Sequence, residues 1–184
     1  MSLKDIILSS KEEDSQAYLA AHPQILLSAF AKQWDVNELI PKFRFGTEFV
    51  SDFVIVSGQS FSYSIYLIEL EPPTINPFNK DGIPSQRLNK AMGQIYDWLD
   101  WIRKNEGYFK ESLYSKMDNE YGKEQIRSSR RFFVSSKIII GQRNHMTEKD
   151  NHTRATIREE RKLEIVPYDR LVDIEEKCAN HSWP

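Results

Sequence analysis

The 184-residue chain has 40% hydrophobic residues, 12% aromatic residues and a formal net charge of −2, a length and composition that suit one domain with a real core. Such a charge excludes a polycation that coats nucleic acid by electrostatics alone, and no run reaches the ~18–20 consecutive apolar residues of a membrane span. The opening MSLKDIILSSKEEDS is too acidic and too weakly apolar for a secretory signal, and the single cysteine, Cys178, excludes an intrachain disulfide; a soluble cytoplasmic protein is the expectation.

In chain order, Ser10 with Glu13 three residues later forms a capping-box pattern that predicts a helix over 10–21, ending at His22-Pro23. A second helix follows over Gln24–Gln33, with Ile25, Leu26, Ala29 and Phe30 as its apolar stripe. Pro41 to Phe45 leads into a sheet, and Phe49–Ser57 reads as a strand ending at a Gly58-Gln59 turn. Ser62–Glu71, SYSIYLIELE, is apolar on both faces until its terminal carboxylates, as an interior strand would be. The stretch PPTINPFNKDGIPS, with four prolines and one glycine, is a long loop of a kind that is often functional.

Ser85 caps a long helix to about Lys104, with Leu88, Met92, Ile95, Leu99 and Ile102 as its core stripe. Residues 105–128 are polar and irregular and read as a helical insertion. Arg131–Gly141 is a strand, Thr147–Lys162 a helix, Leu163–Pro167 a short strand and Tyr168–Lys177 a closing helix. This order predicts an α/β fold in which one mixed central sheet is flanked by helices, residues 1–184 forming a single domain.

The chemistry concentrates on carboxylates. Glu69 and Glu71 are two residues apart on one strand, so both point to the same face, roughly 7 Å apart along the backbone. If the strands on either side of residues 58–61 pair as a hairpin, Asp52 lies beside the end of the second strand, and the three acids converge at one sheet edge. Grouped carboxylates repel unless a cation or proton neutralises them, and Mg²⁺ takes one or two protein carboxylates while keeping water and phosphate in its other positions. An E-x-E at a strand end is also common in solvent-facing hairpins, so the spacing by itself does not establish a metal site. Arg127, Arg130 and Arg131, and again Arg154, Arg158, Arg161 and Lys162, are basic clusters that suit a solvated helix face as well as a nucleic-acid groove. His22, His145, His152 and His181 are scattered and lack zinc-site pairing. Trp98 and Trp101 follow the spacing of core aromatics, with base stacking as the alternative.

The segments AYLAAHPQILL, FVSDFVIV, YLIELEPP, FNKDGIPSQRLNKAMGQIYDWLDWIRKN, IIIGQR and IVPYDRL, taken together and in this order, resemble the Shedu immune nuclease family, a PD-(D/E)XK branch of bacterial anti-phage defence. The resemblance covers roughly residues 16–171 and is most specific from Glu69 through the Gln-x-x-x-Trp helix. It implies a restriction-endonuclease-like fold, a Mg²⁺ cofactor with Mn²⁺ as a substitute, and DNA as substrate. On it, Asp52 matches the metal-binding aspartate, Glu69 the first acid of the (D/E)XK element, and Gln94 a helix glutamine facing the same site. The chain departs from the class at Glu71, where lysine is usual. Lysine would offset negative charge in the transition state, whereas glutamate binds a second metal or accepts a proton from water. Lys90, one turn before Gln94, is a candidate for a migrated charge, with a solvated lysine as the simpler reading.

The resulting expectation is a metal-dependent DNA endonuclease, nicking included, with Asp52, Glu69, Glu71 and Gln94 as catalytic residues and the three acids as metal ligands. Lys90, Arg143, Arg154 and Arg158 are candidate phosphate contacts. The alternative is a catalytically inactive module that keeps the fold for DNA binding or assembly. The family further implies a homo-oligomer, with a separate sensor protein as a candidate partner, and the lack of a long apolar run predicts no membrane association.

Overall fold

Alternating apolar residues on both sides of SYSIYLIEL require cover on both faces, and the fold provides it. The computed structural model describes residues 2–9, 12–31, 36–59, 62–128 and 132–180. Strands β1 (Val36–Pro41), β4 (Phe53–Gln59), β5 (Ser62–Leu70), β6 (Phe132–Ile139) and β7 (Leu163–Val166) form one sheet in the order β1-β4-β5-β6-β7. The first two neighbour pairs are antiparallel and the last two parallel, so the sheet is mixed, as the sequence predicts. A separate two-stranded ribbon joins β2 (Arg44–Phe45) to β3 (Phe49–Val50).

On one face of the sheet, Phe53, Ile55, Ile68 and Leu70 meet α1 (Leu3–Ser9), α2 (Glu12–Ala21), α3 (Pro23–Phe30) and α8 (Tyr168–Asn180). On the other, Val54, Val56, Ile65 and Leu67 meet α4 (Gln86–Lys104), α5 (Glu106–Lys116), α6 (Glu120–Ser128) and α7 (Glu148–Arg161). The long helix α4 begins where the sequence places it: the Ser85 side chain accepts a hydrogen bond from the Leu88 backbone N–H at 3.3 Å. Trp98 on this helix is fully buried and stacks on Phe45 at 5.3 Å between ring centroids, so it belongs to the core; Trp101 meets Phe45 edge-on.

Several elements differ from the sequence reading. Helix α1 and strand β1 have no counterpart in it; α1 is seven residues long and β1 is a sheet edge ending in proline, both too short for a periodic signal. The stretch 49–57 is divided at Ser51-Asp52 into β3 and β4, and β4 runs on through Gly58 and Gln59, pairing Gln59 with Ser62. The stretch 105–128 is helical, as the sequence reads, and divides into two helices anchored in the core by Phe109, Leu113 and Ile126. The helix expected over 24–33 starts at Pro23 and ends at Phe30, where Ala31 turns extended; the Ser10 cap, Arg130, Arg131 and His181 lie outside the described residues.

The proline-rich loop is ordered by its own contacts. Phe78 is buried and bridges to Pro84, and the Gly141 N–H donates to the Pro72 carbonyl at 3.3 Å. The loop thereby closes over the ends of β5 and β6, where the acids gather.

Candidate active site

The register of the β4–β5 hairpin pairs Phe53 with Ile68. One further step sets Asp52 opposite Glu69, and the alternation of β5 carries Glu71 to the same side. All three carboxylates are buried, at 7%, 8% and 3% exposure for Asp52, Glu69 and Glu71. A buried carboxylate must be hydrogen-bonded, paired or protonated, and each of these is handled differently.

Asp52 is the most fully bonded. Its Oδ1 accepts from Gln16 Nε2 at 2.6 Å and from Lys42 Nζ at 2.8 Å, and its Oδ2 accepts from the Leu70 backbone N–H at 2.8 Å. Lys42 also donates its backbone N–H to the Asp52 carbonyl at 2.8 Å, in a left-handed conformation with φ of 48°. A non-glycine residue held there costs on the order of 1 kcal/mol or more; here two bonds to one aspartate offset that strain.

Glu71 is paired with a cation from across the site. Arg87, in the first turn of α4, donates its Nε–H to Glu71 Oε2 and its Nη2–H to Glu12 Oε2, the latter at 3.0 Å. Burial pushes the Glu71 carboxyl up, against the opposing pull of Arg87 and Lys90. Glu12, at the start of α2, is likewise raised, by burial first and then by the charges of Glu71 and Asp52.

Glu69 is held by a neutral group instead: its Oε1 accepts from Gln94 Nε2 at 2.9 Å. A neutral amide cannot compensate a buried charge. Burial, reinforced by Asp52, Glu71 and Glu12, pushes the Glu69 carboxyl up to about 9. At neutral pH it therefore holds a proton.

Glu12, Asp52, Glu69 and Glu71 thus make a group of four mutually repelling acids, tempered by Lys42 and Arg87. With the side chains as they stand, no group of three or more His, Cys, Asp or Glu among the described residues is arranged to hold a metal ion. The donor chemistry nevertheless suits a hard cation such as Mg²⁺: carboxylate oxygens, with an amide beside them.

Sequence reasoning missed Glu12, Gln16, Lys42 and Arg87. Glu12 and Gln16 are brought in by tertiary packing from far along the chain, whereas Lys42 stands ten residues before Asp52, on the other side of the β2–β3 ribbon. For Arg87 there was a signal: it stands seven residues before Gln94, two turns along one helix face. Of the candidate phosphate contacts, Lys90 is exposed and close enough to Glu71 to act on its charge. Arg143 forms an ion pair with Asp173 at 2.7 Å. Arg154 is half-buried and donates Nε–H and Nη2–H to the Ile165 carbonyl at 3.0 and 2.8 Å, fixing α7 to β7. Arg158 lines a groove on the sheet with residues of β5 and β6, apart from the acids.

These features define an α/β protein with a mixed sheet and a buried carboxylate cluster where β4 begins and β5 ends. The chain belongs to the Shedu family: it matches the family described as Shedu protein SduA, C-terminal, over residues 9–172, a span that contains every residue of the cluster. No curated protein matches it. Among the described residues, no helix is long and apolar enough to cross a membrane.

Proposed function

We propose that this protein is a divalent-metal-dependent DNA endonuclease acting in anti-phage defence, built on a restriction-endonuclease-like fold. The observation that carries this reading is the buried pair of Asp52 and Glu69, opposite each other across the hairpin, with Glu71 on the same side. Two antiparallel strand pairs followed by two parallel pairs, with α4 to α6 crossing between β5 and β6, suit that fold. Membership of the Shedu family supports the defence role.

Asp52, Glu69 and Glu71 would hold Mg²⁺, or Mn²⁺ in its place, with Glu12 beside them. When bound, the ion supplies a polarised phosphodiester, an activated water and charge stabilisation at the leaving oxygen. The chain's own residues prepare this. Gln16, Lys42 and the Leu70 N–H fix Asp52, and Gln94 fixes one oxygen of Glu69. Glu71 takes the place of the usual lysine and accepts a proton from water. Arg87, rather than Lys90, supplies the positive charge that the strand lacks, because its guanidinium already contacts Glu71. DNA is the substrate, and assembly as a homo-oligomer under a separate sensor protein completes the reading.

The test is nicking of supercoiled plasmid with Mg²⁺ or Mn²⁺, abolished in Asp52→Ala and Glu69→Ala. Cleavage that survives both substitutions and EDTA overturns the proposal. One observation favours the inactive-module reading: Lys42 and Arg87 already neutralise Asp52 and Glu71. Titration calorimetry showing no Mn²⁺ binding, together with no cleavage, selects that reading instead.

A further inference from the structure

The parallel half of the sheet is not covered evenly. On the face that carries α1, α2, α3 and α8, those helices pack over the ends of β5 and β6, and an open groove of about 560 Å³ remains over the strands' first halves. The register pairs Ser64 with Phe133 and Tyr66 with Ser135, so the four side chains share one face of adjacent strands. Phe133 is 61% exposed, unusual for a phenylalanine on an interior strand.

The groove's charges are unequal. Its one acid, Glu164, is already engaged by Lys137 at 2.7 Å and by Arg170 at 2.7 Å. Lys137 itself lies over the rings of Phe30 and Tyr66, 5.7 and 5.5 Å from their centroids, which fixes Tyr66 at the groove wall. Arg158 and Lys162 line the same groove, and both are exposed. One exposed aromatic ring, Phe133, beside a half-buried tyrosine and cations in excess matches a polyanion that also presents flat π faces.

We propose that this groove binds single-stranded nucleic acid, with a base stacked on Phe133 against the Tyr66 wall and phosphates met by Arg158 and Lys162. A duplex buries its base faces in its own stack and has nothing to offer Phe133. Single strands present successive bases, and aromatic platforms on open sheets use them without reading sequence. A second copy of this chain would cover Phe133 yet would bring Arg158 and Lys162 no excess of acid, since the chain's charge is nearly balanced. The groove stands apart from the carboxylate cluster, and the inference does not rest on the nuclease reading.

The test is fluorescence anisotropy with a labelled oligothymidylate of about 15 nucleotides and a duplex of the same length, both in EDTA so that no cleavage intervenes. The single strand is expected to bind more tightly than the duplex. Phe133→Ala should weaken it roughly ten-fold, the loss of one stacked base. The double variant Arg158→Glu, Lys162→Glu should weaken it further and lower the slope of log affinity against log salt by roughly 1.4, near 0.7 for each of the two phosphates no longer neutralised. All three positions are exposed, and a circular-dichroism melt checks that each variant folds. Unchanged single-strand binding in both variants, or a preference for duplex, overturns the proposal. So does a Phe133→Ala variant that shifts the sedimentation mass and leaves oligonucleotide binding intact, which would give the face to a second copy.

Discussion

Gln94 Nε2 donates to Glu69 Oε1 at 2.9 Å, joining α4 to the end of β5. Glu69 is therefore held by a neutral group, unlike Asp52 and Glu71, which each touch a cation. This difference decides its protonation. Where burial removes water and no opposite charge replaces it, the neutral acid is the stable form, and Glu69 titrates at about 9.

The first prediction is a pH dependence of stability. In the fold Glu69 keeps its proton up to about 9, against an ordinary value of 4.5. Its contribution is fully present below the unfolded value and is lost as pH rises through the folded one. Glu12 and Glu71 are shifted in the same direction and steepen the same slope. In EDTA, the melting temperature of the wild type should fall between about pH 5 and pH 9 more steeply than that of Glu69→Gln, which has no proton to lose. Parallel curves would show that Glu69 is not protonated in the fold. Under the metal-dependent reading, Mn²⁺ affinity should rise over the same interval, because binding must release that proton.

Gln94→Ala removes the amide that bonds Glu69 Oε1 and leaves a buried acceptor unsatisfied. The cost is about 1–3 kcal/mol, read as a lower urea midpoint with an unchanged slope. A midpoint equal to the wild type's would mean that the amide does not support Glu69. Plasmid nicking by this variant should fall while Mn²⁺ binding is weakened rather than abolished, since Asp52 and Glu71 keep their own partners.

Much of the site was legible because a hairpin is a strong geometric constraint. Once β4 and β5 are joined across so short a connection, the register follows, and with it Asp52 opposite Glu69. Period-two alternation then carries Glu71 to the same side. Ser85 announced its helix because capping is a local interaction, satisfied within three residues. The same locality explains the failures. Gln16 reaches Asp52, and Arg87 reaches Glu12, through packing that no sequence window contains. Strand β1 pairs on one side only and includes Asn37, Glu38 and Pro41, so its pattern is an edge strand's and reads as loop. In 105–128 the helical character was legible but its division into two helices was not, because few core anchors and many charges dilute the period; ion pairs such as Lys110–Glu106 at 2.8 Å suit a helix surface.

Arg87 and Lys90 offer a direct contrast. Arg87→Ala leaves Glu71, 3% exposed, without its bonded counter-ion. Breaking a fully buried pair costs ~3–5 kcal/mol; Arg87 is 44% exposed on its side chain, and solvent screening lowers the expectation to about 1–3 kcal/mol. Lys90→Ala, on the exposed surface, should stay within about 0.5 kcal/mol. Arg87→Lys should recover only part of the loss, because an ammonium cannot span Glu71 and Glu12 as the planar guanidinium does. Equal denaturation curves for Arg87→Ala and Lys90→Ala would remove the clamp as a structural element.

Gly141 tests whether the proline-rich loop supports the site. Its φ is 64°, and a Cβ there would lie 2.5 Å from the Ile75 carbonyl oxygen and 3.0 Å from Pro77 Cδ. Both neighbours belong to the loop, and one is backbone, so neither can rotate away. The same residue donates its N–H to Pro72 and accepts from the Tyr168 N–H at 3.0 Å, tying the loop and α8 to the end of β6. Gly141→Ala combines left-handed strain with overpacking, at roughly 2–4 kcal/mol. Because the Glu71 N–H donates to the Ile139 carbonyl at 2.8 Å, two residues before the glycine, the displacement should reach the carboxylates. The variant is expected to melt lower and to bind Mn²⁺ more weakly, without any change in a ligand. If it melts lower yet binds Mn²⁺ as the wild type does, the loop stabilises the fold and leaves the site alone.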